Sequence, residues 1–389
     1  MVKNSYSDRR WARRLVCTRS DAVAPLDEPA FLSPVGAPWR VEYELDPGLG
    51  ASWRRSLTDR PWGLWRYREL LPVADWDARV DLGAGGTPLV RAPGLAPEGV
   101  ELRIKEEGGN PTGSFKARGL ALAITRAREL GASGVELASA GNAAAAMTAY
   151  AAAADLPARV ALPEETPPVL VDRCRLHGAE VLRGGETLVE ARDALAEDPK
   201  GYWDLSTFRE PYRVEGKKTM GLELAEQLGW DVPEWILYPT GGGTGIVGMA
   251  SAFRQLRALG ILGARLPRLV VVQMEGCAPL VRAWERGREE AEPWEEIRTR
   301  VWGLRVPEAL ADFLVLRAVR ESEGVAVTVT EEERKRAVRA AGRRGVLFGP
   351  EGGAALAGVG VLERMGELSP GDRVVVFQTG HPANYGDRP

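Results

Sequence analysis

Cysteine and histidine are nearly missing from this 389-residue sequence, which holds Cys17, Cys174 and Cys277 and, of histidine, His177 and His381. The cysteines lie far apart with no paired spacing. Neither a structural zinc knuckle nor a disulfide framework is expected, and the sparse, odd set suits a reducing compartment. Charge of one sign is absent too. Fifty-one basic residues face 54 acidic ones for a net charge of −3, so no global field recruits nucleic acid or an anionic lipid surface. Long apolar runs are also lacking: the most apolar stretch, residues 143–154, is far shorter than the roughly 20 residues that span a bilayer and consists mostly of alanine. The opening MVKNSYSDRRWARRLVC has no apolar core of a signal peptide. A cytoplasmic protein acting on small molecules, with no nucleic-acid or membrane partner, is the expectation.

Lysine and asparagine are scarce in a more informative way. Seven of the 51 basic residues are lysine, namely Lys3, Lys105, Lys116, Lys200, Lys217, Lys218 and Lys335. Where arginine supplies plain positive charge, a lysine is suspected of giving up its proton or attacking a carbonyl. Asparagine occurs only as Asn4, Asn110, Asn142 and Asn384.

What the chain does have is glycine, 45 residues of it, in an otherwise ordinary globular mixture long enough for two or three domains. Residues 1–80 carry six of the twelve tryptophans, which would be insoluble if exposed, so this segment is expected to pack on the body as an extension. From about residue 81 short strands alternate with helices: strand 102–105, helix 115–130, strand 135–138, helix to about 154, strand 159–162, helix 169–177 and strand 180–182. A second series has helix 214–228, strand 235–238, helix 246–259 and strand 269–273, and the close has helices 331–344 and 353–363 and strand 373–378. The alternation predicts an α/β fold of two layered domains with mostly parallel sheets.

In such sheets ligands bind beyond the carboxyl ends of the strands, where loops feed helix N-termini. Four loops hold that position. GGNPTGS delivers Lys116 to the first turn of a helix, whose positive end disfavours an ammonium. This suits either Schiff-base chemistry or a solvated lysine beside an N-capping Ser114. SAGN enters the next helix with free backbone N–H groups, Asn142 being either a ligand amide or a cap. TGGGTG, from Thr240 to Gly245, sits in mid-chain, unlike a dinucleotide loop, and lacks the G-K-[ST] of a Walker loop, and a monophosphate fits it better. The last strand ends in Thr379-Gly380-His381, where Thr379 is either a ligand hydroxyl or a turn residue. An imine-forming lysine, a phosphate cradle, an amide and a hydroxyl together meet the needs of pyridoxal phosphate.

The strings NPTGSFKARG, SAGN, PTGGGTG and TGH resemble the fold type II pyridoxal-phosphate enzymes of the tryptophan synthase β-like fold, and within them most closely the threonine synthases. The likeness runs from about residue 60 to 381 through WRY with LP, GGTPLVRAP, YRVEGKKT and QMEGCAPL. It implies that Lys116 holds the cofactor as an imine, that Asn142 bonds the ring hydroxyl, and that Gly241, Gly242, Gly243, Thr244 and Gly245 bind the phosphate. Thr379 would face the pyridine nitrogen, and Ser139, Ala140, Gly141 and Asn142 the substrate carboxylate. Lys105, Ser206 and Arg213 would meet a substrate phosphate. The implied organisation is an N-terminal extension over 1–80, a larger cofactor-binding domain from 81–119 and 206–389, a smaller mobile domain over 120–205, and a homodimer. The implied reaction turns O-phosphohomoserine and water into threonine and phosphate. SFKARG is equally typical of serine and threonine dehydratases, so an ammonia-lyase or a β-replacement enzyme is the alternative.

Overall fold

The computed structural model describes residues 10–139, 141–185 and 188–386. The N-terminal segment forms strands β1 (Ala12–Cys17), β2 (Val23–Pro25) and β3 (Trp39–Tyr43), an antiparallel sheet of order β2-β1-β3, followed by helix α1 (Gly50–Leu57). Over residues 10–80, Trp39, Trp53 and Trp65 are buried while Trp62 is exposed. Trp53 of α1 meets the Trp230 ring at 5.8 Å and its indole N–H donates to buried Glu69.

The chain then lays down β4 (Leu89–Arg91), β5 (Glu101–Glu106) and α2 (Lys116–Glu129). It continues through β6 (Val135–Ala138), α3 (Asn142–Ala153), β7 (Ala158–Leu162), α4 (Pro168–Leu176), β8 (Glu180–Arg183), α5 (Leu188–Ala196) and β9 (Trp203–Asp204). These four later strands make a separate parallel sheet, β8-β7-β6-β9. The return runs through α6 (Tyr212–Gln227), β10 (Trp235–Pro239), α7 (Thr244–Ala258), β11 (Arg268–Met274) and α8 (Pro279–Glu285). It closes with α9 (Asp312–Glu321), β12 (Val325–Val329), α10 (Glu331–Gly342), α11 (Pro350–Arg364) and β13 (Arg373–Gln378).

The larger sheet has the order β12-β11-β10-β13-β5-β4, parallel except for the β4 edge. Its central strands are apolar on both faces because helices cover both. Ile236, Tyr238, Val271, Val375 and Phe377 pack against residues of α6, α7 and α9, while Trp235, Leu237, Val272, Val374 and Val376 pack against α11. The alternation of the two sets along each strand is the two-residue period of a strand sandwiched between helix layers. Among the described residues no helix is long and apolar enough to cross a membrane.

This topology places the candidate site. β10, β13 and β5 are neighbours in the sheet although they come from the middle, the end and the start of the α/β body. Their carboxyl ends therefore bring the glycine loop, Thr379 and the Lys116 loop side by side. A bridge between Ser114 and Gly380, with the Phe115 amide donating to the Thr379 carbonyl at 3.0 Å, ties the last two together.

Candidate functional site

One pocket beyond these strand ends is lined by Phe115, Lys116, Asn142, Thr207, the glycine loop from Gly241 to Gly245, Glu351, Thr379 and Tyr385. Lys116 opens α2, and its Nζ lies 4.4 Å from the centroid of the Phe115 ring. The amine makes no hydrogen bond among the described residues. Burial, then the charge of Arg213, push its pKa down to about 7, against a smaller opposing pull from Glu351. The free amine, a nucleophile and a base, is therefore accessible near neutral pH.

The cations around it are delivered by a close helix crossing. A Cβ on Gly216 of α6 would lie 2.2 Å from the Arg118 carbonyl oxygen, and one on Gly119 of α2 would lie 2.8 Å from that of Arg213. Only glycine at both positions lets the two backbones touch, and that contact sets Arg213 and Lys217 of α6 beside Lys116 of α2. Lys217 is fully buried and donates to Thr244 Oγ1 at 2.6 Å. Burial first, then Arg213 and Lys116, hold its pKa well below the usual lysine value. Arg213 donates to the Leu205 carbonyl at 2.5 Å, while its buried Nε has no partner. Glu210 caps α6 by accepting from the amides of Tyr212 and Arg213, and burial pushes its carboxyl up to about 7.

The glycine loop is shaped for an anion. Gly243 takes φ +80°, which non-glycine residues adopt at a cost, and a Cβ there would meet Val315 Cγ2 at 2.1 Å. A Cβ on Gly241 would meet the Gly303 carbonyl oxygen at 2.3 Å and one on Gly245 the Tyr238 hydroxyl at 2.2 Å. The bare backbone thus fills its space from behind and leaves the N-terminus of α7 and Thr244 to face the pocket, with Lys217 Nζ held on Thr244 Oγ1. This donor set fits a phosphate monoester, and Lys116 on the adjoining strand end fits an aldehyde, so the residues present suit pyridoxal phosphate.

Asn142 is the first residue of α3, from the smaller sheet. Its Nδ2 donates to the Tyr385 hydroxyl at 3.0 Å and its Oδ1 accepts from Asn384 Nδ2 at 2.8 Å. Ser139 uses its hydroxyl to accept from the amides of Gly141 and Ala144, capping the same helix. Ala140 lies outside the described residues. Ser206, 4% exposed, directly precedes the pocket-lining Thr207, and the carbonyl before it holds Arg213.

Lys105 requires a correction. It was expected to meet a substrate phosphate, but its Nζ is committed to the Thr87 carbonyl and hydroxyl at 2.6 Å each, to Glu223 at 2.5 Å and to Gln227 at 3.0 Å. Its side chain leaves β5 toward α6 and is fully buried there. The lysine that joins Arg213 beside Lys116 is Lys217, which the scarcity of lysine could have singled out. Glu351 and Tyr385 also went unrecognised in the sequence. Glu351 accepts from the Gly303 amide at 2.8 Å, and its carboxylate faces the Tyr385 phenol. His177 caps the end of α4, and its Nδ1 lies 3.0 Å from the Thr148 hydroxyl.

Lys105 instead belongs to a buried, neutral cluster. Arg118 reaches Glu107 through Nε at 2.7 Å and Nη2 at 2.7 Å, and Glu223 through Nη1 at 3.0 Å and Nη2 at 2.9 Å. Two cations and two carboxylates, all without solvent exposure, bind β5, α2 and α6 into one block two residues from Lys116.

Comparison with known proteins agrees with this geometry. The family described as "Pyridoxal-phosphate dependent enzyme" matches residues 80–380. A threonine synthase of Methanocaldococcus jannaschii is 32% identical over 372 residues, 94% of this chain and 91% of the relative. One from Methanosarcina acetivorans is 38% identical over 82% of this chain and 79% of its own. Among solved structures, a threonine deaminase from T.th. superposes with a TM-score of 0.63 at 29% identity, over 78% of this chain and 93% of the other. With its lysine, phosphate cradle and family match in agreement, the chain belongs to the pyridoxal-phosphate-dependent enzymes.

Proposed function

We propose that this protein is a threonine synthase, turning O-phosphohomoserine and water into threonine and phosphate. The observation that carries the reading is a second buried donor beside the first. Lys217 and the α7 N-terminus are placed for the cofactor phosphate, which leaves Arg213, whose buried Nε has no acceptor among the described residues, for a second one. The threonine synthases among its relatives support the same substrate.

In this reading Gly241 to Gly245 and Thr244 hold the cofactor phosphate, Asn142 bonds the ring oxygen and Thr379 faces the pyridine nitrogen. The loop of Ser139, Ala140 and Gly141 receives the substrate carboxylate, and Ser206 and Arg213 receive its phosphate. When bound, pyridoxal phosphate withdraws electrons from Cα of the attached amino acid. Lys116, freed by the incoming amine, takes the Cα proton, and its depressed pKa lets it return a proton later in the cycle. Phosphate would leave Cγ, Cβ would give up a proton and take the hydroxyl of water, and the protons released from Cβ and water would go to Cγ and the departing phosphate, so atoms balance. The larger domain would comprise 81–119 and 206–389 and the smaller one 120–205, closing over the substrate with 1–80 as a packed extension. The working unit would be a cytoplasmic homodimer, the buried free thiols Cys17, Cys174 and Cys277 suiting a reducing compartment.

The test is a substrate panel on holoenzyme. Phosphate and threonine should appear in equal amounts from O-phosphohomoserine. Release of 2-oxo acid from serine or threonine, with no phosphate from O-phosphohomoserine, would make the protein an ammonia-lyase instead.

Two further outcomes are expected. Wash-out of deuterium from Cα should rise with pH and level off above about 7, because only the free amine of Lys116 accepts the proton and its fraction grows through that pKa. A flat profile would remove Lys116 as the base. Gly243→Ala should weaken cofactor binding by about tenfold or more, since the left-handed backbone alone costs ~1–2 kcal/mol in a non-glycine residue. Titration of apoenzyme with pyridoxal phosphate measures this, and an unchanged affinity would place the phosphate elsewhere.

A further inference from the structure

Asn384 lies in a short turn, Pro382–Tyr385, beyond the last strand, and is 1% exposed. It is one of four asparagines in the chain. Its side chain joins three segments. Nδ2 donates to the carbonyls of Thr112 and Gly113 in the Lys116 loop, at 3.3 and 3.0 Å, and to Asn142 Oδ1 at 2.8 Å. Oδ1 accepts from Arg173 of α4 at 2.6 Å.

These partners leave no freedom in which end of each amide is which. A guanidinium can only donate and a backbone carbonyl can only accept, so Arg173 fixes the oxygen of Asn384 and the two carbonyls fix its nitrogen. A nitrogen facing Asn142 then demands an oxygen there. The Asn142 amide is thereby forced to turn Nδ2 the other way, toward Tyr385, a residue that lines the pocket with Lys116. Burial, then the Glu351 carboxylate, hold the Tyr385 phenol well above its usual pKa, so it stays neutral. It takes up one of the two Nδ2 protons, and the second has no acceptor among the described residues.

We propose that Asn384 is a positioning residue that fixes the Asn142 amide with its N–H donor, and not its oxygen, toward the cofactor's ring oxygen. This rests on the reading of Asn142 as the residue beside the ring. A donor there stabilises the ring oxygen as an anion and weakens its hold on the neighbouring imine proton. Loss or reversal of the amide should therefore raise the pH midpoint of the cofactor's visible band.

The experiment compares holoenzyme carrying Asn384→Asp, Asn384→Ala, Asn142→Ala and the double variant Asn142→Ala with Asn384→Asp. Visible spectra against pH, cofactor titration and thermal melting are recorded for each. Asn384→Asp should raise the midpoint by about one pH unit and weaken pyridoxal phosphate binding about tenfold, the scale of one hydrogen bond to a charged group. Asn384→Ala, which frees the amide without reversing it, should fall between Asp and wild type. In the Asn142→Ala background Asn384→Asp should move the midpoint no further, since its effect passes through Asn142. A midpoint unmoved in both Asn384 variants, or an equal shift with and without Asn142, would overturn the proposal even if melting temperatures fall. Should Asn384→Asp fail to fold, the same comparison with Asn384→Ala decides. If Asn142→Ala alone leaves the midpoint unmoved, the placement of Asn142 beside the ring is what fails.

Discussion

Lys116→Ala should leave a folded protein that binds pyridoxal phosphate reversibly and turns over at least about a thousandfold more slowly, the range expected when a positioned acid–base group is lost. Borohydride should fix the cofactor to the wild-type chain at this residue and release the variant unlabelled. The argument rests on position more than on residue type. Lys116 is held at the start of α2, without a hydrogen bond among the described residues, and its pKa is brought to about 7 by burial and Arg213. Lys217 is the nearby lysine whose chemistry would allow it to substitute, but its Nζ is committed to Thr244 on the phosphate loop. Retention of a reducible adduct and of substantial turnover in Lys116→Ala would transfer the role to Lys217.

Arg118→Met should cost about 3–5 kcal/mol of unfolding free energy, the penalty for stripping one partner from a buried ion cluster. Glu107 and Glu223 would then face each other with Lys105 as their one remaining cation in the cluster, all of them without solvent exposure. Because the cluster binds the start of α2 to β5 and α6, lost stability should come with weaker cofactor binding. Glu223→Gln in the same background should cost much less than it does alone, since it removes one of two carboxylates left with a single cation. Denaturant unfolding of the four chains closes this cycle. Full additivity of the two single effects would show that the residues act independently, against the geometry.

The α/β body was legible because its signals are local. Strands such as Trp235–Pro239 and Arg373–Gln378 are unbroken apolar runs, helix ends are marked by glycine, and the loops carrying Lys116 and Gly241 to Gly245 announce themselves by composition. The N-terminal sheet was not legible: in β1 two successive residues, Arg13 and Arg14, face solvent and spoil the strand alternation, and an irregularity between Ala12 and Arg14 breaks its register with β3. The lysines show why a site resists sequence reading. In VEGKKTMG three adjacent polar residues suggest an exposed helix face, yet Lys217, Lys218 and Thr219 are fully buried. What makes burial tolerable are partners, Thr244 far along the chain for Lys217 and Glu215 one turn earlier for Lys218. Lys105 was misjudged for the same reason, since Glu223 lies 118 residues away. Asn384 stood out by rarity, but its partners did not.

The position of β13 has a consequence for how the protein comes into being. This strand, residues 373–378, is the last in the chain and yet lies inside the larger sheet, between β10 and β5. On the ribosome, a nascent chain that has already emitted Lys116 and the glycine loop still holds them on two unjoined sheet fragments. The edges of β5 and β10 stay open to wrong pairing until residue 378 has cleared the exit tunnel. Cofactor capture therefore waits for β13 to join the sheet, and a chain without it is the form most in need of a chaperone.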